Sequence, residues 1–416
     1  MNRPQRDRRT LRVLLGGNVL WLSVVSFLND AASEMIYPLL PLFLVGTLGA
    51  GPAFLGVIEG IAESASSLFK LLSGWLSDRF RRRLPLVLAG YGVAAVVRPL
   101  IALASAPWQI LAVRFSDRLG KGLRTAPRDA LLSAAVPADM RGRAFGFHRA
   151  ADHAGAVVGP ILASLLLLAF AGSLRPVFAL TLVPGVLAVF VVRLRVREER
   201  PAEPDAQAAA GLRMEGDESP GIGPRGQGPA FARFLFVLVV FTLGNATDAF
   251  LLLRASDLGV PTAAIPLLWA AHHVSKMVWS VPGGALADRF GARHAILAGW
   301  LVYALTYAGF AFAAEAWHAW ALFLMYGLFY GLTESPEKAL VASLSPVHRR
   351  GSAFGAYHAA IGIAALPASI LFGVIWQAFG ATVAFLCGGG LALAASLLLL
   401  ALVSPGRTIH ERRTAH

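Results

Sequence analysis

Residues 127–146, PRDALLSAAVPADMRGRAFG, return as residues 336–355, PEKALVASLSPVHRRGSAFG. Pro127, Ala130 and Leu131 recur as Pro336, Ala339 and Leu340. Pro137, Arg141, Gly142, Ala144, Phe145 and Gly146 recur as Pro346, Arg350, Gly351, Ala353, Phe354 and Gly355, all at a constant offset of 209 residues. A further pair, Gly74-Trp-Leu-Ser-Asp78-Arg79-Phe80 and Gly284-Ala-Leu-Ala-Asp288-Arg289-Phe290, lies 210 residues apart. Two parallel copies of one unit make up the chain.

What surrounds the repeats identifies the unit. Of 416 residues, 56% are hydrophobic and 15% charged, with a mean hydropathy of +0.62, far from the balance of a soluble domain. At about 20 apolar residues per span, helices are expected at 14–45, 53–76, 84–104, 108–133, 143–170, 175–195, 232–253, 263–286, 294–313, 318–343, 351–378 and 381–403. The expected fold is thus an all-α integral membrane protein of twelve transmembrane helices in two pseudo-symmetric six-helix halves, 1–195 and 232–416. The polar stretch 196–231, rich in Ala, Gly, Pro, Glu and Asp, reads as a flexible linker between them. Spans four and ten are the ones a hydropathy scan would most easily miss.

The net charge of +13 sits in alternate connections: Arg3–Arg12, Arg79–Arg83, Arg141 and Arg143, Arg193–Arg200, Arg289–His294, His348–Arg350 and Arg407–Arg413. The intervening connections are short and nearly uncharged. Such alternation is the positive-inside pattern, and it places both termini and the linker in the cytoplasm of a cell whose cytoplasmic membrane holds the chain. Nucleic acid is not needed to explain the charge. The first span is too long, and too polar at its centre, for a cleavable signal peptide. A single cysteine, Cys387, leaves no intrachain disulfide and makes thiolate metal binding an unattractive reading. No phosphate-cradling Gly-x-x-x-x-Gly-Lys-[Ser/Thr] loop and no His/Glu zinc spacing occurs, so neither an enzyme nor an ATP-driven pump is expected, and no cofactor.

Span four is densely charged. Arg114, Asp117, Arg118, Lys121, Arg124, Arg128 and Asp129 all fall within roughly 140° of a helix advancing about 100° per residue. A charge at membrane depth costs about 3 kcal/mol or more unless it meets a partner or water, so this face should line a pathway. Asp30, Glu63, Arg118, Lys121, His272, His273 and Lys276 come near the bilayer midplane, where ionisable residues mark a functional site. Glu34, Glu59 and Asp248 lie somewhat outward, and His148, Arg149, Asp152, His153, Glu334, Glu337 and His358 inward. Structural ion pairs holding the bundle together are the competing reading for much of this set. In span five, His148 with Asp152 and Arg149 with His153 are one turn apart and can pair.

Where the copies diverge, a preference for substrate can reside. Asp117, Arg118, Lys121 and Arg124 align with Tyr326, Gly327, Tyr330 and Thr333, a cationic wall against an aromatic one. With His273, Trp269 and Phe329 at similar depth, the cavity would suit an amphipathic small molecule carrying negative charge, held by Arg and stacked on rings. Arg128 and Asp129 align with Glu337 and Lys338, a reversal of sign that points to paired closure contacts across the pseudo-two-fold. Gly155, Gly159 and Pro160 allow close helix approach and a bend; ordinary packing explains them equally well.

Gly-x-Leu-x-Asp-Arg-x-x-x-Arg, here Gly74 to Arg83 and again Gly284 to Arg293, resembles the loop 2–3 motif of the major facilitator superfamily. The resemblance covers all but the linker and the ends. Arg118-x-x-Lys121-Gly122 and Gly155-x-x-x-Gly159-Pro160-x-x-Ala163 are similar to the fourth- and fifth-helix motifs of its drug/proton antiporters. Asp30-x-x-x-Glu34-Met-Ile-x-Pro38 is similar to a poorly characterised prokaryotic subgroup. Departures are Arg81 where the loop motif usually has Gly, and Ala163 where the antiporter motif prefers Gly. The resemblance implies that Asp78 faces the start of helix eleven near Gly351 and Ser352, and Asp288 the start of helix five near Gly142, with Arg79 and Arg289 beside them as gating or topogenic charges.

Energy would come from an ion gradient or from the substrate itself. Loss of water favours the neutral form of a carboxylate and a nearby Arg or Lys favours the charged form, so Asp30 set against Arg118, with Glu34 and Glu63 next in line, is the expected proton carrier. Three functions follow: proton-coupled efflux of a small organic compound; import or exchange of an anionic nutrient or metal chelate; a transporter-derived sensor or scaffold without flux. A monomer in the lipid bilayer, with a small-molecule substrate and protons as partners, is expected.

Overall fold

The computed structural model describes residues 15–80, 83–136, 141–198, 228–346 and 350–403, with side chains given outside 70–80, 141–143 and 350–352. Twelve helical spans occur among them. In the first half they are α1 (Gly17–Ile36, running on through short turns to Thr47), α2 (Pro52–Phe80), α3 (Leu84–Val97 with a 3-10 extension Arg98–Leu103), α4 (Pro107–Ala134), α5 (Arg141–Ala169) and α6 (Leu174–Leu180 and Leu182–Arg195). In the second half they are α7 (Pro229–Gly244 and Ala249–Asp257), α8 (Ile265–Phe290), α9 (Ala292–Phe312), α10 (Ala316–Leu344), α11 (Arg350–Phe379) and α12 (Ala381–Leu402). Each expected span has its helix. The linker expected at 196–231 falls mostly on 199–227, outside the described residues.

Local chemistry sets several of these starts. Pro52 and Pro107 open α2 and α4, where a missing amide proton costs nothing. Gln109 Oε1 accepts from the Ser105 and Ala106 amides at 2.7 and 3.0 Å, satisfying donors at the α4 entrance. At α3 the same service comes from a distance: the Glu198 carboxylate, just beyond α6, accepts from the amides of Arg83 and Leu84 at 2.9 and 2.7 Å.

Eight of the spans are long and apolar enough to cross a membrane by themselves. The remaining four are α2, α4, α8 and α10. Sequence reading singled out four and ten; α2 and α8 join them because each carries charged or histidine residues on its inner face. The four occupy matching places in the two repeats, so internal polarity is a shared property of the unit.

Packing follows the same symmetry. α1 lies against α5 as α7 lies against α11, α2 against α4 as α8 against α10, and α3 against α4 as α9 against α10. The halves are joined by α2 on α11 and by its counterpart, α5 on α8. Large apolar side chains such as Leu165, Leu168, Phe190, Ile363 and Leu397 stay exposed on the outside, as a surface facing lipid requires.

Gly155 and Gly159 act at the α1–α5 contact. A Cβ on either would stand 2.4 Å from a carbonyl oxygen of α1, Phe27 for the first and Ala31 for the second. Pro160 continues the same helix. Gly159→Val is therefore expected to destabilise the detergent-solubilised protein by about 1–3 kcal/mol through overpacking, read as a lowered thermal midpoint; an unchanged midpoint would contradict the close contact.

Candidate functional site

Between the halves lies a cavity of ≈ 580 Å³ lined from both sides. One end is closed by contacts that cross the halves. The Trp269 indole N–H donates to Glu34 Oε2 at 2.7 Å, and the Tyr37 and Trp269 rings lie 5.2 Å apart. The Tyr37 hydroxyl meets Thr247 Oγ1 at 3.4 Å, the Ala53 amide donates to Gln377 Oε1 at 3.3 Å, and the Ser164 hydroxyl donates to the Ala263 carbonyl. At the other end, toward the Asp288 terminus of α8, the side chains are wet: Arg149 is 61% and Glu334 40% exposed where they approach at 4.0 Å. The cavity opens there.

α4 distributes its charges among three destinations. Arg114 grips Glu59 of α2 with two bonds, Nε to Oε1 at 2.8 Å and Nη2 to Oε2 at 2.6 Å. Asp117 accepts from Arg98 Nε at 2.8 Å, and Arg98 also donates to the Asn29 carbonyl and Oδ1 at 2.9 and 3.1 Å, tying α1, α3 and α4 together. Arg118, Lys121 and Arg124 line the cavity. Arg124 lies over the Tyr91 ring at 4.7 Å, and Arg118 Nε is buried without a hydrogen-bond partner among the described residues. Four of the seven charges therefore do not face the pathway, for Arg128 bonds its neighbour Asp129 at 2.8 Å and reaches Ser26 of α1.

Asp30, Glu34 and Glu63 also line the cavity. Asp30 Oδ1 accepts from Asn29 Nδ2 at 2.9 Å. Among the described residues no ion pair or hydrogen bond joins Asp30 to Arg118, which corrects the pairing expected from depth. Depth gives height along the normal and leaves the direction around the helix open. On the facing wall, Trp269 and Tyr330 border the cavity with Phe241 and Phe329. Tyr326 and His273 stand one layer behind: Tyr326 is fully buried with its hydroxyl on Asp248, and His273 has its edge against Trp269 and Nε2 4.0 Å from Glu34.

Arg128 and Glu337, expected to take part in paired closure contacts, do not touch in this open-ended state of the cavity. Glu337, which lines the cavity, accepts from Trp300 Nε1 at 3.3 Å and the Tyr357 hydroxyl at 2.8 Å inside its own half. Equivalent positions under a pseudo-two-fold face equivalent neighbours: Tyr91 and His148 correspond to Trp300 and Tyr357, so each residue turns toward its own bundle. In α5, His148 Nε2 is 3.7 Å from Asp152 Oδ1, whereas Arg149 approaches Glu334 of α10 and not His153. Asp288 is exposed and forms no ion pair among the described residues, and Arg289 lies over its neighbouring Phe290 ring. Asp78 and Arg79 end α2 outside the described side chains, as do Gly142, Gly351 and Ser352.

Arg98 and the break in α7 went unassigned in the sequence, although Asp248 was placed by depth. Arg98, in an apolar span, is the buried hub joining α1, α3 and α4; an arginine before Pro99 was its only signal. Asp248 stands in a gap of α7 that no proline marks, and accepts from the hydroxyls of Tyr326 at 2.7 Å and Tyr330 at 3.1 Å.

A bundle of two equivalent helical halves enclosing a polar cavity, open at one end and closed at the other, defines a membrane transporter. The chain belongs to the Major Facilitator Superfamily, whose sequence profile matches residues 22–252 and 229–415. It is 32% identical over 394 residues to an uncharacterised MFS-type transporter of Methanocaldococcus jannaschii, covering 93% of this chain and 95% of the other. The multidrug resistance protein MdtG of Enterobacter lignolyticus is 26% identical over 325 residues, 74% of this chain and 73% of the other. In fold the chain is similar to the nucleoside transporter NupG (TM-score 0.74, 15% identity, 93% and 99% covered) and to a D-xylose–proton symporter (TM-score 0.72, 18% identity, 94% and 99% covered). The family is one of transporters, not enzymes.

Proposed function

We propose that this protein exports a small organic solute across the cytoplasmic membrane by alternating access, in exchange for protons. The carrying observation is the cavity shared by both halves and closed at one end only, a geometry suited to solute exposed to one side at a time. The positive-inside loops assign the open end to the cytoplasm, making this the inward-facing state with both termini cytoplasmic. Among the cavity carboxylates Asp30 is our choice of proton carrier, since it lines the cavity and its hydrogen-bond donor is the neutral Asn29 side chain. The similarity to a multidrug resistance protein favours export.

Import or exchange of an anionic nutrient or chelate is the second reading. It is favoured by Arg118 and Arg124, which line the cavity with no carboxylate in ion-pair distance among the described residues. Transport of a solute panel into inverted and right-side-out vesicles, with and without a pH gradient, separates the two. Export predicts uptake into inverted vesicles that is driven by an acidic lumen and dissipated by a protonophore. Accumulation confined to right-side-out vesicles would establish import, and a C-terminal reporter active only outside the cytoplasm would overturn the assigned orientation.

A further inference from the structure

α7 stops at Gly244 and restarts at Ala249, and residues 245–248 cross the gap within the span. Unwound backbone at this depth is tolerated where protein buries it or where it lines a cavity. Here Thr242 and Asn245 to Asp248 all border the cavity. The gap is held in place from outside: the Tyr303 hydroxyl donates to the Gly244 carbonyl at 2.9 Å and the Thr247 amide to Ser369 Oγ at 3.3 Å.

The Asp248 carboxylate is satisfied by the hydroxyls of Tyr326 and Tyr330, both neutral donors. Among the described residues no Lys, Arg or His forms an ion pair with it. Lys276, over the Tyr330 ring at 4.1 Å, is committed to Glu334 at 3.5 Å. A carboxylate hydrogen-bonded by phenols, in a cavity that the Trp269, Phe329 and Tyr330 side chains also line, is the chemistry that holds an organic ammonium, through charge and through the ring faces. The α4 wall offers the opposite pole. Among the described residues Arg118 and Arg124 face the same space without a carboxylate in ion-pair distance, and Arg118 Nε is buried with its donor unused. A guanidinium in that condition recognises a carboxylate or phosphate.

We infer that the substrate is a zwitterionic amphiphile, its protonated amine at Asp248 in the α7 gap and its acidic group, separated by an apolar body, at Arg118 and Arg124. This rests on reading the cavity as the solute site of a transporter. Asp248 and Tyr330 then determine specificity for the amine, and the arginines determine specificity for the anion.

Three matched probes test it on the full chain in detergent by calorimetry: 3-[4-(aminomethyl)phenyl]propanoate with both charges, 3-(4-methylphenyl)propanoate with only the negative one, and 4-ethylbenzylamine with only the positive one. The expected result is about tenfold or tighter binding of the doubly charged probe than of either other. Asp248→Asn should reduce its advantage over the anion to about onefold, and Arg118→Ala its advantage over the amine, each by about a factor of ten. Asp248→Glu, which keeps the charge, should restore part of the first ratio and so guards against a mere folding defect. Equal binding of the doubly charged probe and the anion, unmoved by Asp248→Asn, would overturn the proposal and leave an anion transporter standing. An amine bound as tightly as the doubly charged probe, with Arg118→Ala silent, would overturn it from the other side. Failure of all three to bind at about 10 mM would also overturn it, while vesicle transport would continue to test the transporter reading on its own.

Discussion

Asp30→Asn is expected to bring pH-gradient-driven accumulation in inverted vesicles down to the level of empty vesicles. An amide keeps the shape and the hydrogen-bonding reach of the side chain but cannot gain or lose the proton that couples the gradient to the solute. Asp30 lines the cavity and accepts a hydrogen bond from its neighbour Asn29, a bond the amide oxygen of Asn can still accept, so the bundle should survive. Binding should therefore persist when driven transport is gone. Proton flux read with a pH-sensitive dye, alongside calorimetry, makes the distinction. Full gradient-driven transport by Asp30→Asn would move the proton site to Glu34 or Glu63, each tested by its Gln variant.

The largest expected loss of stability follows Arg98→Ala. Asp117 and Arg98 are 3% and 4% exposed, and Arg98 donates to Asp117 and twice to Asn29. Deleting one partner of a buried, hydrogen-bonded ion pair leaves an uncompensated charge, at about 3–5 kcal/mol. The double variant Arg98→Leu/Asp117→Leu should recover much of that loss, because the stranded charge goes with it. Thermal unfolding in detergent provides the measure, and an Arg98→Ala midpoint equal to that of the parent would refute the hub.

Much of the architecture could be read in the residues before any coordinates. The 209-residue offset between Pro127 and Pro336 implies equivalent halves, and the α2–α11 and α5–α8 contacts are the two copies of a single interface. Charge at depth on α4 correctly marked a helix at the centre. It could not tell Asp117 from Arg118, adjacent in sequence and both on the charged arc, because the neighbour each meets is decided by α3 and by the cavity. Asp30 and Arg118 failed to pair for the same reason. The α7 gap was hidden more deeply: Gly244-Asn245 alone hardly signals a break inside an apolar run, and Asp248 gains its surroundings from tyrosines 78 and 82 residues further on.

The four spans that fall short of membrane-crossing hydrophobicity carry a consequence for biogenesis. A translocon partitions helices largely by their own apolarity, so a polar span needs company to leave it. α4 emerges after α2 and α3, α10 after α8 and α9, and α8 after α5, each with a packing partner already made. α2 has no such help: it packs chiefly against α4 and α11, both synthesised later. Glu59 must wait through 55 residues of synthesis for Arg114. The nascent chain is thus most vulnerable to stalled insertion and quality-control proteolysis between the second and fourth spans, well before any cavity exists.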